Sequence, residues 1–518
     1  MADGAMIAAS VAVVGGASLL AVTARGFKRK DNLPCLEGWA LADRSLGTTW
    51  TWLLLGGTVF TAYTFTAVPG LAYGTGASAF FALPYTVLVC PLAFVLLPRL
   101  WDVCRRHGYV TLGDFVRGRY GSGSLALVVA LTGILATMPY LALQLLGIRA
   151  VLTAGGLYPG GVTGHTVMIV LFAGLALSTY HHGLRTPTVI SALKGVVIFS
   201  SVLAAVVFVL VQLGGPGRMF ADATDRLVEL GGSASLSLEP AQHGAYATLA
   251  VGSALALFMY PHVSTAALAA DSRDTLRRVS VMLPAWTAVL GLFALLGIAA
   301  LAVGIRTPAG NAEAAVPLLV HDLMPAALAG LVFGALTLGA LVPAAVMSIA
   351  AATVFVRNVY VEYFDPTATP KRQVRIAQLV SLTAKAGAIA FVFGLQNQAA
   401  INLQFLGGVW ILQIFPAVVV GLYTPWLHPR ALLAGWAVGM CAGTAMVVGA
   451  GYSSIVPFEV GGRHLEVYAG LAAVLLNFLV STALSAIFDF SGVPRGTDAT
   501  TLPSGLNIKH RLRGANRS

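Results

Sequence analysis

The feature that most constrains this chain is a succession of apolar runs, each long enough to cross a lipid bilayer. A spanning helix needs about 20 mainly apolar residues. Such runs lie near 5–24, 48–73, 77–98, 124–148, 163–181, 187–213, 244–268, 281–304, 325–356, 374–395, 400–425, 431–451 and 467–488. Lipid offers no partner to backbone N–H and C=O groups, so each run must satisfy its own as a helix. The expected fold class is an all-α membrane protein of about 13 transmembrane helices, multi-pass in the cell (inner) membrane. Composition agrees, since 10% of residues are charged where a soluble domain carries roughly 25%. Residues 1–488 read as one polytopic domain. The remainder, 489–518, combines Pro, Gly, Thr and basic residues with no apolar period and reads as a disordered tail.

Charge placement gives the runs a direction. Of the 31 Lys and Arg, Arg218, Arg226, Arg306 and Arg463 fall on one side of the bilayer in this scheme, and Arg149, Lys194 and Lys385 fall inside spans. The others collect on the opposite side: the 25–47 loop, the WDVCRRHGYVTLGDFVRGRYG loop, Arg185, the DSRDTLRR loop, the stretch from Arg357 to Arg375, Arg430 and the tail. Basic residues favour cytoplasmic loops, which places the N-terminus outside and the C-terminus in the cytoplasm. The first run carries only Asp3 before it, with Arg25, Lys28, Arg29 and Lys30 after it. That is the reverse of a cleavable signal peptide, so the run is expected to be a retained helix.

Several function classes fall away. The net charge of +11 is accounted for by loop placement, so a nucleic-acid partner is not expected. No GxxxxGK[ST] phosphate loop occurs, so no nucleotide is expected to drive transport. Cys35, Cys90, Cys104 and Cys441 are scattered without metal-ligand spacing and read as packing residues. A membrane enzyme would need an acid–base couple, and the one His well inside a span, His262, has no carboxylate companion there. The chain is therefore read as a secondary transporter, not an enzyme, with the bilayer and a small solute as partners and no cofactor.

Transporter sites are marked by interrupted helices at corresponding positions of internal repeats. The second run contains GGTVFTAYTFTAVPG, where Gly56 and Gly57 weaken the helix and Pro69 removes a backbone bond. The seventh contains ALFMYPHVSTAA, with Pro261 beside His262. These two runs open two five-helix blocks, 48–213 and 244–425, which predicts a five-plus-five inverted repeat with a leading helix 5–24 and trailing helices within 431–488. The 214–243 loop is expected to hold a short amphipathic helix at ADATDRLVEL.

At TLGDFVRGRYG, GLRTP and VFVRNVYVEYF the chain resembles the sodium:solute symporter family. TAYTFTAVPGLAYG, PYLALQLLGIRA, ALFMYPHVSTAAL and GALVPAAVMSIAAATVFVRNVY are similar to its bacterial monocarboxylate permease branch. The resemblance implies a LeuT-type fold and uptake of small monocarboxylates such as lactate, pyruvate, acetate or propionate. It also implies a cation site on backbone carbonyls at Gly57 and Phe60, with Gly339, Val342 and Pro343 where sodium-coupled members supply hydroxyls. Those hydroxyls are gone, Val59 stands where the family's proline permeases carry an acidic residue, and Ala192 stands where many members carry one. Sodium prefers oxygen ligands, so the proton is preferred over Na+ as the coupling ion. The alternative is a sodium-coupled symporter of another small solute, such as an amino acid or sugar.

The charge inventory points the same way. All 20 Asp and Glu lie in loops or at helix ends, and a cavity with cationic groups and no carboxylates suits an anion. A buried ionisable group costs at least about 2.5–3.5 kcal/mol at the bilayer centre. Lys194, roughly 12 Å into the sixth run, either replaces the missing cation and carries a proton or snorkels to the interface. His262 either meets the substrate carboxylate, relays protons, or is hydrogen-bonded structurally. Lys385 is read as structural or snorkelling, and Arg149 as an anion lure or a headgroup contact. Polar neutral groups complete the expected substrate site: Thr58, Thr61, Tyr63 and Thr64, Tyr140 and Gln144, Tyr260, and Trp410 and Gln413.

Overall fold

The computed structural model describes residues 3–23, 35–156, 158, 161–230, 235–394, 397–460 and 463–501. Arg25, Lys28, Arg29 and Lys30 lie outside the described residues. Among the described residues, 11 helices are long and apolar enough to span a membrane, and 13 if each of two bent pairs is one span. In chain order the helices are α1 (Gly4–Thr23), the bent pair α2 (Thr48–Val59) and α3 (Tyr63–Thr75), α4 (Ala77–His107), α5 (Leu112–Tyr120) and α6 (Gly123–Ala154). Then come α7 (Gly161–His182), α8 (Arg185–Gln212), α9 (Pro216–Leu230), the bent pair α10 (Pro240–Leu257) and α11 (Pro261–Leu268), and α12 (Arg273–Val303). They are followed by α13 (Ala315–Leu323), α14 (Ala326–Phe364), α15 (Pro370–Phe393), α16 (Phe405–Tyr423), α17 (Pro429–Gly449) and α18 (Ala469–Phe490). Every expected run corresponds to one of these helices or bent pairs, and the amphipathic segment after the sixth becomes α9.

The two breaks fall where the sequence weakens the helix. Phe60 leaves α2 in an extended conformation (φ −92°, ψ 101°), and α3 departs at 56°. Tyr260 is extended (φ −66°, ψ 131°) because the ring of Pro261 disfavours the helical region for the residue before it. There α11 departs from α10 at 52°. A short bridge joins the ends of both pairs remote from the breaks: Leu46 N–H donates to the Ala269 carbonyl (3.2 Å) and Asp271 N–H to the Leu46 carbonyl (3.0 Å).

The centre is α14. Nearly all its residues from Ala329 to Val354 are buried, and α1, α6, α8, α11 and α15 pack around it. Two corrections to the all-α reading concern the ends of the molecule. Strands β1 (Ile455–Val460) and β2 (Arg463–Tyr468) form an antiparallel hairpin between α17 and α18, with Ile455 opposite Tyr468. The chain expected to be unstructured from 489 stays helical to Phe490. It then docks on α5, where Ala499 N–H donates to the Gly118 carbonyl (2.7 Å) and Arg119 pairs with Asp498. Residues 502–518 lie outside the described residues.

Ion pairs knit the basic loops into one end of the bundle. Arg44 bonds Glu37 (2.6 Å) and the Tyr109 carbonyl (2.6 Å), Arg273 bonds Asp102 (3.0 Å), and Arg185 pairs with Asp43. The TLGDF and VRNVY segments meet here. Asp114 accepts from Val110 N–H (3.0 Å), Asn358 Nδ2 (3.1 Å) and Arg357 Nε (3.3 Å), while the Asn358 amide oxygen takes the Thr111 hydroxyl (2.8 Å). The hairpin and the 304–314 turn lie at the opposite end.

Candidate functional site

Three backbone carbonyls and one ammonium meet beside the first break. Lys194 Nζ donates to the carbonyls of Gly57 (2.6 Å), Phe60 (2.9 Å) and Gly339 (3.0 Å), and the side chain is fully buried. Each acceptor is free for a local reason. A helical carbonyl is normally taken by the N–H four residues on. For Gly57 and Phe60 those residues lie past the end of α2, and Thr64 N–H turns to the Thr61 carbonyl instead (2.9 Å). For Gly339 the residue is Pro343, inside α14, which has no N–H to give. Two glycines make the approach possible. A Cβ at Gly57 would sit 3.7 Å from the Lys194 stem and 3.2 Å from Ser191 Oγ, and one at Gly339 would meet the Phe65 ring at 2.6 Å.

Four of the expected cation-site positions, Gly57, Phe60, Lys194 and Gly339, are thus brought together. Val342 and Pro343 are buried in α14, and Pro343 acts by freeing a carbonyl and supplies no ligand atom. The spacing of a proline four residues after Gly339 was the signal for this. Snorkelling is ruled out for Lys194, and also for Lys385, which is buried and donates to the hydroxyls of Thr179 (3.1 Å) and Ser381 (2.9 Å).

A cavity of about 640 Å³ runs from the breaks toward the hairpin end of the molecule. Tyr63, Tyr140 and Tyr260 line its inner part, and Tyr85, Tyr468 and Glu313 also face it. Thr61 stands just behind, its hydroxyl 3.2 Å from that of Tyr140. His262 is fully buried beneath two of these rings, 5.4 Å from Tyr140 and 5.3 Å from Tyr260 between centroids. Neither His262 nitrogen nor the Thr58 hydroxyl has a hydrogen-bond partner among the described residues. Thr64 is buried behind the cavity wall.

Three expected substrate contacts are engaged elsewhere. Gln144 caps the break: its Oε1 accepts from Ala62 N–H (2.9 Å) and its Nε2 donates to the Tyr140 carbonyl (3.0 Å). Trp410 Nε1 donates to Thr444 (2.9 Å) on α17. Gln413 donates to the Val409 carbonyl (3.0 Å), and its own carbonyls receive Asn477 Nδ2 of α18. The side chains of Trp410 and Gln413 turn away from the cavity because α16 presents that stripe to α17 and α18. The expectation of a cavity without carboxylates is also corrected. Glu313 belongs to a loop, as expected of every acidic residue, but that loop folds into the cavity wall. Tyr85, Tyr468 and Glu313 carried no sequence signal, since only folding brings their segments to the site.

This arrangement has counterparts. Residues 39–439 match the profile of the sodium:solute symporter family. A monocarboxylate transport permease protein of Rhizobium johnstonii is 43% identical over 90% of this chain and 94% of its own length. An uncharacterized symporter of Bacillus subtilis, YodF, is 30% identical over 91% and 92%. Among solved structures, a Na+-coupled sialic acid symporter in a substrate-bound outward-open state superposes with a TM-score of 0.75 at 14% identity, covering 95% of this chain and 99% of that one. Mhp1, a nucleobase-cation-symport-1 family transporter in a closed conformation, does so with a TM-score of 0.52 at 13% identity, covering 92% and 99%. The fold is of the LeuT type, the molecule is a multi-pass membrane transporter, and the chain belongs to the sodium:solute symporter family.

Proposed function

We propose that this transporter takes up small monocarboxylates of the lactate, pyruvate, acetate or propionate type by cation symport. The proton is the coupling ion and the basic end of the bundle faces the cytoplasm. In this reading the two bent helices open inverted repeats, 48–213 and 244–425. The substrate lies between the breaks, with Tyr63, Tyr140 and Tyr260 as hydroxyl donors to its carboxylate and His262 and Thr58 as partners below them.

The observation that carries the reading is the ammonium of Lys194 on the three carbonyls. An ammonium has three N–H donors and no acceptor, and three acceptors converge on it. When protonated, Lys194 therefore supplies this site with a cation of its own. A neutral amine has two N–H donors and a lone pair, which would face the third carbonyl. Losing the proton loosens the tie between the α2 break and α14, two elements that must separate for the site to open to the other side. A proton loaded from outside holds the tie, and its departure to the cytoplasm releases it. One proton carried with one monocarboxylate moves no net charge, so uptake is electroneutral.

The R. johnstonii relative's name supports the substrate class. The family's name and the sialic acid neighbour favour the second reading, sodium-coupled uptake of another small solute. Counterflow of labelled lactate, pyruvate, acetate and proline in proteoliposomes, with sodium and pH gradients imposed separately, decides between them. Monocarboxylate accumulation driven by the pH gradient alone is the expected result. Accumulation that requires sodium, or preference for proline, overturns the reading.

A further inference from the structure

Glu313 occupies a position that the transport cycle described above does not use. It lies in a single helical turn, Ala312–Ala314, between α12 and α13, and lines the cavity on the way from the hairpin end to the tyrosines. Its relative exposure is 9%, low for a carboxylate on a loop. The turn is pressed onto α3 at Gly70, where a Cβ would come 2.8 Å from the Ala312 carbonyl carbon. Among the described residues no other side chain hydrogen-bonds the Glu313 carboxyl, and the residue lines the cavity.

The charged and titratable groups on the elements packed against this turn are few. On α6 they are Tyr140, which lines the cavity, and Arg149, which lies close enough for its charge to act on Glu313. Its guanidinium also bonds the Val392 carbonyl (3.4 Å). On α3 they are Tyr63, which lines the cavity, and Tyr73, whose hydroxyl donates to the Ile305 carbonyl (2.6 Å). On α13 they are His321 and Asp322, which bond each other (2.8 Å) at the exposed end of the helix. Burial pushes the Glu313 carboxyl up to about 6, against the opposing effects of its own backbone N–H and of Arg149.

An anion travelling through an apolar-walled cavity past an ionised carboxylate is repelled. Past a protonated one it gains a donor, because a neutral carboxyl carries one O–H. A hydrogen bond from a neutral acid to a carboxylate is of the strong, charge-assisted kind. We propose that Glu313 is an outer, proton-bearing subsite for the substrate carboxylate, donating a hydrogen bond to the monocarboxylate when protonated and turning it away when ionised. No bond is made or broken. The proton stays on Glu313 or is shared with the bound anion, and it is distinct from the proton on Lys194. The inference rests on the monocarboxylate reading and adds to it that apparent affinity is set by the pH of the outer medium.

The test is exchange of labelled lactate in proteoliposomes at equal pH on both sides, from pH 5 to 7.5, for wild type, E313Q and E313D. Lactate stays an anion across this range while Glu313 passes from mostly protonated to mostly ionised. The wild-type KM should rise on the order of tenfold. E313Q, a permanently neutral donor, should lose most of this rise and hold a KM near the wild-type low-pH value. E313D should keep a rising KM. A KM in E313Q that rises with pH as in wild type overturns this inference alone. So does loss of exchange in both variants despite normal insertion, because each still offers a neutral donor at low pH. No lactate exchange by wild type overturns the functional reading and this inference with it.

Discussion

Replacing Lys194 by Met is the sharpest perturbation of the coupling site, because it keeps an apolar stem and removes the ammonium. The three bonds it forfeits measure 2.6, 2.9 and 3.0 Å. A hydrogen bond to a charged group contributes about 1.5–3 kcal/mol, so three contribute about 4.5–9 kcal/mol. Burying the ammonium costs about 2.5–3.5 kcal/mol. The balance is about 1–6.5 kcal/mol in favour of the conformation seen, and Lys194→Met gives it up while leaving three buried carbonyls without donors. Two readouts follow: a lower midpoint of thermal unfolding in detergent, and transport in proteoliposomes. With an inside-alkaline pH gradient, wild type should concentrate labelled lactate, whereas Lys194→Met and Lys194→Gln should equilibrate it without concentrating it. Exchange at equal pH should persist in both, since the cavity tyrosines are untouched. Wild-type accumulation by Lys194→Met under the same gradient would refute the assignment of the proton to this residue.

Three further outcomes are expected. Gly339→Ala places a Cβ 2.6 Å from the Phe65 ring, so it should cost about 1–3 kcal/mol by overpacking. It should also weaken pH-driven uptake by shifting the carbonyl that Lys194 holds, as a thermal-shift assay and accumulation measurements would report. Tyr140→Phe removes a hydroxyl that lines the cavity and lies 3.2 Å from Thr61. The loss of about 1 kcal/mol of binding corresponds to roughly a fivefold higher KM for lactate, and an unchanged KM would remove Tyr140 from the substrate site. Gln144→Ala deprives the Ala62 N–H of its acceptor and should lower stability by about 1–3 kcal/mol, read as a lower unfolding midpoint. If its KM for lactate changed while its stability did not, Gln144 would be a substrate contact and not a cap.

The span pattern, the two breaks and the Lys194 position were legible in the sequence because each rests on a local rule. Lipid forces an apolar run into a helix, a proline disfavours helix in the residue before it, and a lysine inside such a run must find partners. The resemblance to the family supplied Gly57, Phe60 and Gly339 by register. Other side chains were misread for one reason: the sequence gives a residue's position along a helix but not which neighbour that face meets. Trp410 and Gln413 sit on a helix of the expected set, yet they spend their hydrogen bonds on Thr444, Val409 and Asn477.

The sequence by itself determined where the apolar runs lie, where two of them bend, and that Lys194 lies deep among them. Only the tertiary structure decided what that cation touches, because its three acceptors lie 137, 134 and 145 residues away along the chain. They converge through the packing of α8 against α2 and α14. Likewise a loop carboxylate, Glu313, became part of the cavity wall only when its turn closed over Gly70. A freed carbonyl or a loop carboxyl carries no mark in the sequence of the partner it will meet. That partner is set by which helices pack side by side, and the packing is a property of the whole bundle.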